Sequence, residues 1–215
     1  MRTNFYLLKA TPLLIAIVLP LTSLKASLLG PNTSITPTLG SGPIGASLLA
    51  TTNVAFSGVD SGNNILFSGS LVSSVWTGDT SNPFNGLTFT YQLTSSASSV
   101  NSIDRLTLNR FPGFLTDVGY FGIGIVPARA SRTFNGDLIA FVFEDGNFQP
   151  SLAPGSSSPL LVIQTDSLVW ALGNASIIDG ATANVPAFVA QAVPEPTTFG
   201  LMVIGFAALA ARRKN

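Results

Sequence analysis

The chain has 215 residues, ten basic and ten acidic side chains with a formal net charge of zero, and neither histidine nor cysteine. Without histidine there is no His-dependent catalytic triad, no common zinc site and no ordinary general base near neutral pH. Without cysteine no disulfide can staple the fold.

The N-terminal stretch carries Arg2 and Lys9, then an apolar run from Ala10 to Leu21, then small residues. This charged, apolar, small order is that of a secretory signal peptide. Pro12 and Pro20 weaken the run as a permanent membrane helix, since proline breaks helix interiors. We place the cut after Ala26, giving a signal peptide over residues 1–26, although Leu24 and Lys25 are larger than a signal peptidase favours. A retained N-terminal anchor is the alternative.

Residues 27–191 have the length of one domain with a real core. Four arginines (Arg105, Arg110, Arg129, Arg132) and nine carboxylates fall within them, a formal charge of −5. The neutral total therefore hides an acidic body, without the basic patch that nucleic-acid phosphates require. The stretch 27–47, rich in Pro, Gly, Ser and Thr, reads as a leader or an edge segment. Beyond it Leu87, Phe89, Tyr91 and Leu93 alternate with Thr88, Thr90, Gln92 and Thr94, the period of a half-buried strand. Leu106 and Leu108 alternate with Thr107 and Asn109. Residues 138–143 and 160–163 are apolar on both parities, as in strands covered on both faces. Turn clusters at 60–64, 78–83, 145–147 and 154–159 separate these runs.

Eight strands are expected, near 53–59, 65–76, 87–94, 104–111, 116–123, 137–144, 159–165 and 182–190. Residues 167–179 fit a short helix or a further strand. Short strands at this spacing, with no long amphipathic helix, predict an all-β fold. It is an antiparallel β-sandwich, jelly-roll or immunoglobulin-like, with a barrel as the alternative.

Candidate chemistry in the body is sparse. Asp104, Asp117, Asp137, Glu144 and Asp145 could supply a hydrolytic carboxylate pair only if two of them flank a cleft. Asp60 with Asn63 and Asn64, or Asp79 with Asn82, offers oxygens to calcium, but neither follows a twelve-residue calcium loop and both suit turns. Trp76, Tyr91, Tyr120, Phe148 and Trp170 could stack on sugar rings, although aromatics in a sandwich mostly fill core or rim. Gly119 to Gly124 lacks the spacing and lysine of a phosphate loop and reads as a glycine-rich strand or bulge. No catalytic residue, metal ligand or cofactor is assigned.

The last stretch, residues 192–215, has three parts. Pro194 and Pro196 around Glu195 keep Val193 to Thr198 extended. Phe199 to Ala211 is an uncharged run about 20 Å long as a helix, short of the ~20 residues of a full crossing. Snorkelling of Arg212, Arg213 and Lys214 extends it to a marginal span, and the positive-inside rule keeps those residues cytoplasmic. Glu195 then lies at the outer face.

Motif, span and basic stop together resemble the PEP-CTERM sorting signal of exported bacterial proteins. The resemblance implies recognition of Val193, Pro194, Glu195 and Pro196 by exosortase, a membrane-embedded cysteine transpeptidase, with Arg212, Arg213 and Lys214 as the membrane stop. It implies a membrane-anchored precursor that passes to the cell surface or extracellular matrix, in association with exopolysaccharide or biofilm. The expected function is that of a non-enzymatic surface or matrix protein. The alternatives are a glycan-binding or adhesion module and a carboxylate-dependent hydrolase.

Overall fold

The computed structural model describes residues 27–144 and 151–192. The expected signal peptide, residues 1–26, the motif at 193–196 and the basic stop at 212–214 lie outside the described residues, as do Asp145 and Phe148.

In chain order the strands are β1 (Ser27–Leu28), β2 (Ser34–Ile35), β3 (Thr38–Leu39), β4 (Ser47–Val59), β5 (Ile65–Thr77), β6 (Thr88–Ser95) and β7 (Arg105–Leu108). They continue with β8 (Thr116–Phe121), β9 (Arg129–Arg132), β10 (Ile139–Val142), β11 (Leu160–Thr165), β12 (Trp170–Asp179) and β13 (Ala181–Ala190). No helix occurs among the described residues, so none there is long and apolar enough to cross a membrane. One sheet has seven strands in the order β1-β8-β11-β6-β5-β4, with β3 also on β8. The other has six, in the order β13-β12-β7-β10-β9-β2. Every pairing is antiparallel except that of β3 with β8. The chain changes sheet between β1 and β2, β2 and β3, β6 and β7, β7 and β8, β8 and β9, β10 and β11, and β11 and β12.

The alternation read from sequence is what lets these two sheets share one core. In β6, Phe89, Tyr91 and Leu93 are fully buried, and Phe67, Leu71 and Val75 of β5 lie on the same inner face. Leu106, Leu108, Ile139, Phe141 and Ile177 meet them from the second sheet. Each such side chain withdrawn from water stabilises the fold by roughly 1.5–3 kcal/mol. Phe89 meets Phe111 edge-on at 6.0 Å. Across the core the Tyr91 hydroxyl donates to the Phe188 carbonyl at 2.6 Å, and the Phe188 N–H donates to Ser73 Oγ at 2.9 Å. These bonds satisfy polar groups that would otherwise be buried at a cost. The arrangement is sandwich-like.

Local departures from expectation have local causes. The stretch 27–47 is an edge segment, contributing the two-residue strands β1, β2 and β3. Residues 170–179 form a strand because ten consecutive positions pair with β13, from Trp170 with Ala190 to Asp179 with Ala181. β4 begins at Ser47 rather than near residue 53, since Ser47 and Leu48 pair with Thr77 and Trp76. After β8, Gly122 (φ 88°) turns the chain and Gly124 (φ 155°) passes against the backbone of 157–159, where a Cβ would come within 2.4 Å of Ser158 and Pro159. The glycines of 119–124 thus serve a strand end and a close backbone approach.

β9 has no counterpart among the expected strands, and it carries a buried side chain with five hydrogen bonds. Arg132 is 5 % exposed. Its Nε donates to the Gly136 carbonyl (3.0 Å) and its Nη1 to the Leu29 carbonyl (3.1 Å) and Thr116 Oγ1 (2.9 Å). Its Nη2 donates to the carbonyls of Phe111 (2.5 Å) and Phe114 (2.8 Å). Burial works against this charge, and the nearby Asp166 carboxylate favours it. One planar fork therefore ties the β1–β2 segment, the β7–β8 loop, β8 and the β9–β10 turn together. Arg132→Ala leaves several buried carbonyls without a donor and should cost about 3–5 kcal/mol. Arg132→Lys should recover only a small part, because one ammonium cannot reach all five acceptors. Urea-unfolding midpoints of the three proteins check both statements.

Candidate functional site

Inner-face residues are committed to the core, so any site must lie on the outer faces, the loops or the tail. On the outer face of the seven-stranded sheet a polar cluster surrounds Asp79, which is 6 % exposed. Asp79 Oδ1 accepts from the N–H groups of Ile44 (3.0 Å) and Ser81 (2.9 Å) and from the Ser81 hydroxyl (2.6 Å). Its Oδ2 accepts from Thr88 Oγ1 (2.7 Å) and Gln164 Nε2 (3.1 Å). Burial opposes ionisation of this carboxyl, but the bonds from Ser81, Thr88 and Ile44 outweigh it and hold its pKa below the usual value. Asn82, also buried, donates to the Gly86 carbonyl (3.0 Å) and the Thr165 carbonyl (3.1 Å) and accepts from Phe84 N (2.9 Å). Asp79 and Asn82 thus fasten the β5–β6 loop to β11 and to the segment before β4, and their oxygens are already engaged.

The other calcium candidate resolves in the same way. Asp60 accepts from the N–H groups of Gly62 (2.8 Å) and Asn64 (2.9 Å) and from Asn64 Nδ2, closing the β4–β5 turn with Asn63 at φ 63°. The Asn64 side chain is the main reason its pKa is lowered. Among the described residues no three carboxylates converge on one point.

The carboxylates weighed for hydrolysis are dispersed. Asp137 accepts from Arg110 N at 2.9 Å, at the end of the body where the tail leaves. Asp117 is buried on β8, opposite Gln164. Glu144 is exposed at the end of β10. Asp104 sits at the opposite end of β7 from Arg110 and accepts from Ser151 Oγ at 2.8 Å. Its backbone N–H bonds the Ile178 carbonyl, which brings Asp179 alongside. Burial pushes the Asp179 carboxyl up and the Asp104 charge adds to that, against a hydrogen bond from Asn101. Asp104 is therefore paired with Asp179, a carboxylate outside the five weighed from sequence. Seventy-odd intervening residues hid it, because only strand register joins the two.

The aromatic candidates divide by face. Tyr91 is fully buried, and Trp170 packs edge-on against Phe188 at 5.0 Å. Tyr120 packs partly against the core and borders a cavity of about 10 Å³, far too small for a sugar. Trp76 alone of these lies on the outer face of β5, its indole N–H fixed to Thr90 Oγ1 at 3.0 Å. Around it the outer face runs through Ser68, Ser70, Ser74, Thr51, Asn53 and Ser57. A second cavity, of about 210 Å³, lies between Arg110, Pro112, Phe114, Asp137 and the end of β13 at Ala190 to Ala192. It is smaller than the ~300–1,000 Å³ of ordinary small-molecule sites.

The body is all-β among the described residues, and its last described residues, Ala190 to Ala192, lie beside Arg110. The PEP-CTERM protein-sorting motif matches residues 192–214, and the chain is a PEP-CTERM domain-containing protein. The motif implies export, a membrane-anchored precursor and recognition by exosortase. Comparison with curated proteins and with solved structures gave no match.

Asp117 gives a test with a sign. Among the described residues its carboxyl accepts one hydrogen bond, from Val118 N (3.1 Å), and burial raises its pKa to about 6. The folded state thus binds this proton more tightly than the unfolded state, whose aspartates titrate near 3.9. Its contribution to stability is full below about pH 4, declines as pH rises through about 6, and is absent above that. Asp117→Asn should therefore stabilise the fold by about 1–2 kcal/mol at pH 7.5 and leave it nearly unchanged at pH 4. Urea midpoints at the two pH values measure the difference.

Proposed function

We propose that the chain is the precursor of an exported surface or matrix protein that is processed by exosortase and whose body works by display rather than by catalysis. The observation that carries this reading is the sorting motif at 192–214. Phe199 to Ala211 serves as the short membrane span, Arg212, Arg213 and Lys214 as its cytoplasmic stop, and Val193 to Pro196 as the segment offered to the enzyme outside. Export begins with a signal peptide over residues 1–26.

Residues 27–191 form the displayed domain, a β-sandwich of jelly-roll type. Pairing of β6 with β11 and of β7 with β10, each pair in its own sheet, supports that topology. Its outer face presents serine, threonine and asparagine, whose hydroxyls and amides match those of an uncharged exopolysaccharide. The body's formal charge of −5 disfavours an anionic polymer. Trp76, held on that face by Thr90, favours a second reading, a glycan-binding module that stacks a sugar ring there. Among the described residues a hydrolase would draw on Asp104 and Asp179, which adjoin each other.

Replacing Pro194, Glu195 and Pro196 with alanine should leave a full-length, membrane-retained precursor in the producing cell, while the parent chain is trimmed. Fractionation and immunoblotting read the result, and identical processing of both proteins would rule out exosortase handling. Trp76→Ala should leave display intact and lower retention on the producer's exopolysaccharide several-fold if the second reading holds.

A further inference from the structure

The four lateral edges of the two sheets are treated very differently. One edge of the seven-stranded sheet ends in β1 and β3, and one edge of the six-stranded sheet ends in β2, strands of two residues each. The other edge of the six-stranded sheet is β13, which carries the exposed Pro186 in mid-strand. Proline has no N–H to offer, and strands tolerate it where that N–H would have faced the open edge. Short edge strands and edge prolines are how sheets resist edge-to-edge pairing.

The remaining edge, β4, has neither device. It runs thirteen residues, Ser47–Val59, without a charge or a proline. It pairs on one side with β5, and among the described residues no backbone group of β4 bonds anything else. β13 of the second sheet approaches β4 without a backbone hydrogen bond to it. Thr51, Asn53, Ala55 and Ser57 stand exposed on the outer face, and Leu48 and Leu49 are exposed at its start. Irregularities fall only near the two ends, at Leu48/Ala50 and Gly58/Val59, so the stretch between is a regular strand.

We propose that two copies of this chain join edge to edge through β4, in an antiparallel pair about a two-fold axis near Asn53. An uncharged strand is complementary to itself in that orientation, since nothing on it repels its mate and each backbone donor meets an acceptor. The two seven-stranded sheets become one continuous sheet, and the outer faces bearing Trp76 lie on the same side. Because the other three edges are blunted, pairing consumes the one open edge and closes the assembly at two copies instead of propagating a fibre. The pairing stands on the body alone and is independent of the sorting tail.

The full chain in mild detergent is examined by sedimentation velocity across a range of concentrations, beside Asn53→Lys/Ala55→Lys and Asn53→Glu/Ala55→Glu variants. Both positions are exposed and neither side chain is hydrogen-bonded in the fold. The parent should form a dimer, each variant alone should dimerise at least tenfold more weakly, and an equimolar mixture of the two should restore a heterodimer. Since the chain has no cysteine, Asn53→Cys provides an independent reading. It should oxidise to a linked dimer, whereas Leu172→Cys, also exposed but on the second sheet, should not. A parent that stays monomeric, a dimer indifferent to both charge variants, equal cross-linking at the two cysteines, or an open series of larger oligomers would each overturn the proposal.

Discussion

One buried guanidinium holds together the end of the body from which the sorting tail leaves. Arg132 supplies donors to carbonyls of Leu29, Phe111, Phe114 and Gly136 and to the Thr116 hydroxyl, acceptors from four separate segments. A fold without disulfides or helices has few other ways to fix loops that bury their own backbone. With those loops fixed, Asp137 meets Arg110 and Asp166 meets Leu115 N. β13 then ends where Gln191 N bonds the Val169 carbonyl. The tail therefore starts from a defined point on a rigid platform, which suits a segment that has to be presented to a membrane enzyme.

The same economy runs through the rest of the body. Buried polar side chains such as Asp79, Asn82 and Thr88 satisfy one another and the backbone around them, and Gln164 donates to Asp79 while its own Oε1 has no partner among the described residues. Their bonds close loops, and their chemistry is spent doing so. What the surface offers instead is a broad outer sheet face of small hydroxyl side chains with one fixed indole. On the proposed reading, such a face makes many weak contacts with a hydrated polymer.

Legibility from sequence followed the range of the interactions. β6 was plain, because its alternation of Phe, Tyr and Leu with Thr is a local record of a sheet with one core face. β11 was equally plain from its unbroken apolar run. β9 is not legible from sequence, since Arg129 and Arg132 at its ends look like solvated charge; only acceptors up to 103 positions away explain why Arg132 is buried. The Asp104–Asp179 pair and the fate of residues 167–179 depended likewise on register with distant strands. Asp79 and Asn82 are legible as turn residues, but their bonds to Gln164 and Thr165 of β11 have no sequence signal. The tail was the most legible part, because its rules are one-dimensional: rigid motif, apolar length, terminal charge.

The most direct measurement is terminal-peptide mass spectrometry of the protein from the surface fraction of its own producer, with and without a functional exosortase. The account predicts a first residue near Ser27 and no peptide from 199–215 when the enzyme is present. It predicts a membrane-bound form that keeps Arg212 to Asn215 when the enzyme is absent. An intact C-terminus on the surface protein of both strains would contradict it.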